Sequence, residues 1–372
     1  MIEADVGFPG QPDVVASYAD VQQDQLAPLI VLEGLESFLP GSGTIEAHRL
    51  GAGHSNETFL VSRGGSRYVL RRPPRPPWPP RAHDVAREFA VLSALGDTGL
   101  PVPRPLTLCA DASAIGAPFY LMEYVDGVVI RDSFPAQGFD AAGDRREAMF
   151  ALARTLADIH AVDWAATTLS DLSPRTGYVD RQLRRFRELW ERNKTRAVPE
   201  VDALGAWLLR NQPPTREVTL VHGDYKLDNA IFARHPPARL VAVLDWEMAA
   251  IGDPLADVGL LSASWVEPGQ DRDPLLGFSA AAAAPGCPTR AELLAEYARR
   301  SQRSLEHLRW YECLAIWKIA VILEGGYKRY LAGTTNDPFF ERVREGVPRV
   351  ARNALALAER AQAPSREGAM DG

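Results

Sequence analysis

The stretch from Leu220 to Gly259, LVHGDYKLDNAIFARHPPARLVAVLDWEMAAIGDPLADVG, limits the possible architectures more than any other part of the chain. Val218 to Val221 is apolar and β-rich, the pattern of a buried strand. His222-Gly223-Asp224 then breaks into a polar loop that ends at Asn229. Leu240 to Leu244 reads as a second buried strand, with Asp245 at its carboxyl end. Two carboxylates and an amide, Asp224, Asn229 and Asp245, are therefore expected on loops at strand ends, where a rigid scaffold can hold them for chemistry.

Phosphoryl transfer from ATP to a hydroxyl uses such a set. One carboxylate orients the hydroxyl and accepts its proton, while an amide and a second carboxylate hold Mg²⁺ on the phosphates. The pattern HGDxxxxN followed by LDW resembles the aminoglycoside phosphotransferase and choline kinase group of small-molecule kinases. Asp224 and Asn229 also keep the spacing of the protein-kinase HRDxxxxN loop, and Asp245 matches the metal-binding aspartate of DFG. The resemblance spans about residues 45 to 335. It implies an α+β, two-lobed, protein-kinase-like fold with a small antiparallel-sheet lobe and a mainly helical large lobe. The expected division is a loose arm over 1–23, a nucleotide-binding lobe over 24–125, a helical lobe with the catalytic loops over 126–360, and a frayed tail over 361–372. Within that lobe arrangement Asp224 is the implied catalytic carboxylate, Asn229 and Asp245 the implied Mg²⁺ ligands, and Lys226 a cation that offsets charge developing in transfer.

Ahead of this stretch, Ile45 to Leu50, GAGHSNETFLV and SRGGSRYVLRR read as three strands joined by glycine turns, with Gly64-Gly65 a hairpin signal. On two glycines alone the first turn reads as an ordinary hairpin. Its likeness to the family's GxxSNxT pattern implies that Gly51, Gly53, Ser55 and Asn56 approach the ATP phosphates. Kinase-like folds carry a phosphate-contacting lysine on the third strand, but no lysine precedes Lys194 here. Strand alternation puts Val69 and Arg71 on one face, so Arg71 takes the lysine's place, a larger and bidentate cation. Arg72 is expected on the other face, at the surface. His83 to Leu95 reads as a helix with Val85, Phe89 and Leu92 as its apolar stripe. The flanking Glu88 is by itself balanced between a solvated residue and a partner for Arg71, the role that the resemblance implies. Phe119 to Gly127 reads as an apolar strand running into a turn and resembles a kinase hinge. There the backbone of Glu123 and Val125 would pair with adenine, and Met122 would sit behind the base. An early helix is expected over Asp24 to Leu39 from its leucine spacing.

A net charge of -7 gives no reason to expect a nucleic-acid partner. Three widely spaced cysteines, Cys109, Cys287 and Cys313, suit a reducing cytoplasm better than a disulfide framework. The amino terminus has no signal-peptide pattern, and the most apolar helical run, Leu314 to Leu323, contains Lys318 and is too short to span a bilayer. His160 and His222 read as packed, hydrogen-bonded residues, and Asp257 as a carboxylate holding the catalytic loop by its backbone N–H groups. Glu247 is open between a metal or substrate contact and plain exposure. Tyr178 to Arg196 reads as an arginine-rich amphipathic helix whose Arg181, Arg184 and Arg185 either face solvent or meet an anionic part of a substrate. The partner expected is a small molecule bearing a hydroxyl. The RYVLRRPP and LEGGYKRY segments look closest to the kinase-like domains associated with acyl-CoA dehydrogenases, which implies a hydroxyacyl or hydroxyacyl-CoA acceptor. The alternatives are an aminoglycoside antibiotic kinase and a catalytically inactive nucleotide-binding module.

Overall fold

The computed structural model describes residues 32–50, 56–74, 84–172, 176–267, 269, 270, 273, 275–335 and 337–362. Five strands form the small-lobe sheet: β1 (Ile45–Arg49), β2 (Glu57–Arg63), β3 (Ser66–Arg72), β4 (Pro105–Cys109) and β5 (Phe119–Glu123). All pairings are antiparallel, in the order β1-β2-β3-β5-β4. Strand alternation gives this sheet two apolar faces. Val69, Tyr120 and Met122 face helix α1 (Val85–Leu95), whereas Phe59, Val61, Leu70 and Leu121 face a separate layer built by Leu35, Leu39 and Ile115. Helix α1 starts where the Asp84 side chain accepts the Arg87 N–H at 3.0 Å.

The second layer overturns the surface expectation for Arg72. Its side chain is buried, with Nη2 2.8 Å from Glu57 Oε2 and the guanidinium over the Phe59 ring. A residue on the outer face of a sheet is exposed only when nothing covers that face. The expected helix over Asp24 to Leu39 is also corrected over its described part, residues 32–39. Among the described residues, only Leu32–Leu35 forms a 3-10 turn, and residues 24–31 lie outside the description. Leu35 and Leu39 are buried there as cover for the sheet.

The large lobe begins with β6 (Val128–Val129) and α2 (Ala142–His160), followed by α3 (Leu169–Leu172), α4 (Tyr178–Asn193) and α5 (Pro199–Arg210). The central stretch then folds as β7 (Thr219–Val221), β8 (Ala230–Phe232), β9 (Leu240–Val243) and β10 (Ala250–Gly252). β7 pairs with β10, and β8 lies between β6 and β9. Helices α6 (Leu255–Ser264), α7 (Arg290–Ser301), α8 (Leu308–Leu331) and α9 (Val343–Gln362) complete the lobe. The stripe read on the arginine-rich segment is present: Leu183, Phe186 and Trp190 of α4 are buried with Trp317 and Val321 of α8. The main core runs across the lobe boundary, from Val69, Leu92 and Met122 to Leu152, Phe232 and Trp246. The two small sheets of the large lobe thus sit against the same core as the strand bearing Arg71, which brings the loops bearing Asp224 and Asp245 under the small lobe.

Candidate active site

Asp224 follows β7 across a turn that admits only glycine. Gly223 has φ +86, and a Cβ there would meet Met248 O at 2.6 Å and Met248 Cβ at 2.9 Å. Asp257, in the first turn of α6, accepts the N–H of His222 at 2.6 Å and that of Gly223 at 2.8 Å. Burial alone would raise the Asp257 pKa, but the bond to His160 (3.3 Å to Nε2), the nearby charge and these N–H donors hold it below the ordinary carboxylate value. His160 Nδ1 in turn lies 2.8 Å from the Tyr297 hydroxyl. His222 Nε2 lies 2.8 Å from the Leu244 carbonyl, and Nδ1 lies 3.2 Å from the Asp224 N–H that donates to it. Both histidines are framework, as the sequence led one to expect, and Asp257 anchors the loop by backbone N–H groups.

The Asp224 carboxylate is held from two sides. Lys226 Nζ is 2.7 Å from Oδ2, and Asn229 Nδ2 donates to Oδ2 at 3.0 Å and to the Asp224 carbonyl at 2.9 Å. Burial opposes the Lys226 charge, yet Asp224 outweighs it and the lysine pKa stands above its ordinary value. The Asn229 carbonyl accepts the Leu244 N–H at 2.8 Å, so the two loops are stitched together one residue before Asp245.

Asp245 is one of two non-glycine residues with positive φ among the described residues (φ 66, ψ 57). Aspartate tolerates this left-handed conformation better than most residues, and it turns the carboxylate toward the small lobe. Arg71 meets it there, with Nη2 3.0 Å from Asp245 Oδ1 and Nε 3.3 Å from Glu88 Oε2. Glu247 Oε2 lies 3.9 Å from Arg71 and accepts the Asn56 amide at 3.1 Å. Burial pushes the Glu88 carboxyl up to about 7 against the pull of Arg71, and Asp245 and Glu247 push the same way. Burial opposes the Arg71 charge too, but Glu88 and Asp245 raise its pKa above the ordinary arginine value. The open question about Glu88 is answered by this packing: it is buried in the α1 face rather than solvated beside it, and Phe89 is the less buried neighbour.

The donor set suits Mg²⁺. The Asn229 hydrogen bonds to Asp224 run from Nδ2, so its amide oxygen is turned away from Asp224, and Asp245 keeps a second carboxylate oxygen beyond the one facing Arg71. Two hard oxygen donors with room for phosphate oxygens and water is the usual protein share of such a site. Among the described residues there is no cluster of three or more His, Cys, Asp or Glu that would form a closed metal cage.

Other expected positions are spread more widely. Gly51, Gly53 and Ser55 lie outside the described residues, while Asn56 is buried beside Glu247. Met122 is buried on the inner sheet face, at the end of β5 where the chain crosses between lobes. The Glu123 N–H donates to the Arg104 carbonyl at 2.9 Å, and among the described residues no backbone bond engages the Val125 N–H. Arg184 and Arg185 are exposed on α4, and Arg181 donates to the Thr176 carbonyl. A cleft of about 490 Å³, counting its open mouth, lies beside Asp224; its walls include Tyr311 and Lys318 from the helical region 310–329, which the resemblance implies as the acceptor pocket without singling out residues, and also Tyr178, Met248 and Leu260, which sequence reasoning did not connect with it. The scarcity of lysine was a signal that could have drawn attention to Lys318.

A small antiparallel sheet over a helical lobe, with a cation on the third strand and the catalytic loops beneath it, defines a protein-kinase-like fold. The chain belongs to the phosphotransferase enzyme family, whose family model matches residues 46–311. It is 36% identical over 337 residues to acyl-CoA dehydrogenase family member 11 of Rattus norvegicus, a match covering 88% of this chain and 42% of that protein. The chain thus spans less than half the length of this curated relative. A crystal structure from Ralstonia eutropha JMP134, assigned as an aminoglycoside phosphotransferase, superposes with a TM-score of 0.72 at 31% identity, covering 89% of this chain and 99% of that one. A thermostable aminoglycoside phosphotransferase mutant, solved with ADP and hygromycin B, shares the fold at a TM-score of 0.55 and 16% identity, covering 86% of this chain and 96% of that one.

Proposed function

We propose that the protein is an ATP- and Mg²⁺-dependent small-molecule kinase that phosphorylates a hydroxyl. The observation that carries this reading is the Asp224 carboxylate, fixed by Lys226 at 2.7 Å and Asn229 at 3.0 Å at the mouth of an open cleft. Asp224 would orient the acceptor hydroxyl toward the γ-phosphorus. The acceptor oxygen then bonds to that phosphorus, the bond from phosphorus to the bridging oxygen of ADP breaks, and the hydroxyl proton passes to Asp224 as the transfer completes. Arg71 and Lys226 would face the phosphates and offset their charge. Mg²⁺, held by Asn229 and Asp245, would neutralise the phosphate oxygens. Gly51, Gly53, Ser55 and Asn56 would approach those phosphates, with Met122, Glu123 and Val125 at the adenine.

The acceptor we favour is a hydroxyacyl or hydroxyacyl-CoA metabolite. The 36% identical relative carries an acyl-CoA dehydrogenase name, and the cleft beside Asp224 is walled mainly by apolar side chains. An aminoglycoside acceptor is the second reading, favoured by the assignment of the 31% identical structure. Transfer from Mg·ATP to a panel of hydroxyacyl-CoAs, hydroxy acids, aminoglycosides and choline-like alcohols tests both. Product from the acyl class that disappears in Asp224→Asn, with Mg·ATP affinity kept within about threefold, is the expected result. Phosphorylated aminoglycoside alone would sink the acyl reading. Absence of nucleotide binding would sink the kinase reading itself.

A further inference from the structure

Lys318 lies on α8 and lines the same cleft as Asp224. The chain has four lysines, and the other three are partnered. Lys194 pairs with Glu191, Lys226 with Asp224, and Lys328 donates to the Arg192 carbonyl. Lys318 makes no ion pair or hydrogen bond among the described residues, and its ammonium stands 5.0 Å from the centre of the Phe186 ring. Burial pushes its pKa down to about 8, opposed by Asp257 and Asp224 and helped by Arg185. Lys318 therefore faces a cleft where Asp224 is already neutralised by Lys226 and Asp257 is engaged by the His222 and Gly223 N–H groups. An ammonium withdrawn from water without a direct ion pair is unfavourable, and such a position is expected where a ligand supplies one. The surrounding walls are apolar, including Leu260, Leu314 and Ile319, with Ile322 half exposed at the outer end of the same helix face.

We propose that Lys318 binds an anionic group of the acceptor, a carboxylate or a phosphate, while the apolar walls take the hydrocarbon between that group and the hydroxyl at Asp224. This rests on the reading of Asp224 as the residue that receives the acceptor hydroxyl. It makes the cleft selective for hydroxylated amphiphilic anions and against polycationic sugars.

The test is calorimetric binding to the full chain with Mg²⁺ and a non-hydrolysable ATP analogue present. The probes are hydroxyoctanoates with the hydroxyl at carbons 3 to 8, their coenzyme A thioesters and their methyl esters. At least one acid or thioester is expected to bind about tenfold more tightly than its methyl ester. Acids binding best would identify a carboxylate as the anion, and thioesters binding best a phosphate. Lys318→Met is expected to remove that advantage, Lys318→Arg to keep it within about threefold, and neither to alter methyl-ester binding. Equal binding of acid, thioester and ester by the parent protein would overturn the proposal without reliance on any variant. So would an equal loss for charged and neutral probes in Lys318→Met. Anionic probes that bind in the expected way but take no phosphate from Mg·ATP would overturn the kinase reading and leave the anion site standing.

Discussion

Arg71 is the residue on which most local charge depends, because Glu88, Asp245 and Glu247 all face it. Arg71→Met would leave Glu88, already pushed up to about 7 by burial, protonated at neutral pH and without its partner, and a loss of about 1–3 kcal/mol in denaturant-unfolding stability is expected. Adding Glu88→Leu should recover at least half of that loss, since the buried carboxyl left without a partner is then gone. Lys318 makes a different test. Its folded pKa of about 8 lies below the ordinary lysine value of 10.5, so the unfolded chain binds more protons between those values. Its charge therefore destabilises the fold at neutral pH, and that penalty fades as pH rises from about 8 to 10.5. Lys318→Met is expected to raise stability at pH 7 by about 1–2 kcal/mol after allowing for the partial exposure of the side chain, with the gain shrinking toward pH 10. Thermal unfolding of both proteins across that range would show it, and a gain growing with pH would contradict it. Asp224, Asn229 and Asp245 were legible in the sequence because their chemistry and spacing are local to two loops. The burial of Arg72 was not, and Lys318 was legible only as part of a region, because what covers the outer sheet face, and what surrounds a position on α8, is decided by distant segments.

At the scale of elements, α6 connects the catalytic loop to the rest of the large lobe. Its first turn supplies Asp257 to the loop, and its middle lies against α8, where a Cβ on Gly259 would come within 2.6 Å of the Tyr311 carbonyl carbon. The contact is backbone and cannot give way by a rotamer change. Gly259→Val is expected to push the helices apart and cost about 2–4 kcal/mol, near the upper range for overpacking. It should also lower phosphotransfer by loosening the two N–H bonds to Asp257, which amide exchange at His222 and Gly223 would report. Unchanged exchange there would separate α6 packing from loop order. Helix α4 was readable from Leu183, Phe186 and Trp190, and α7 begins with the Thr289–Glu292 capping box. In the described part of the early leucine-spaced segment, Leu35 and Leu39 serve a sheet rather than a helix face, and residue spacing does not distinguish the two partners.

For the whole molecule, the shared core and Arg87 join the lobes. The Arg87 guanidinium of α1 donates to the Glu247 carbonyl at 3.1 Å and to the Ala249 carbonyl. Arg87→Ala should therefore raise amide exchange in α1 and in residues 246–250 while leaving α8 and α9 unchanged, and should lower phosphotransfer by about tenfold or less. Uniform protection in the variant would show that the core alone holds the lobes. The same bridge has a regulatory meaning. In protein kinases the helix glutamate and the metal aspartate are brought into place by separate movements, and control acts on that freedom. Here Glu88 neighbours Arg87 on one helix, and Arg87 grips the segment that follows Asp245, so the two carboxylates are expected to travel as one piece. The kinase proposed above would then need no separate movement to assemble its site, and its output would follow the supply of acceptor and nucleotide.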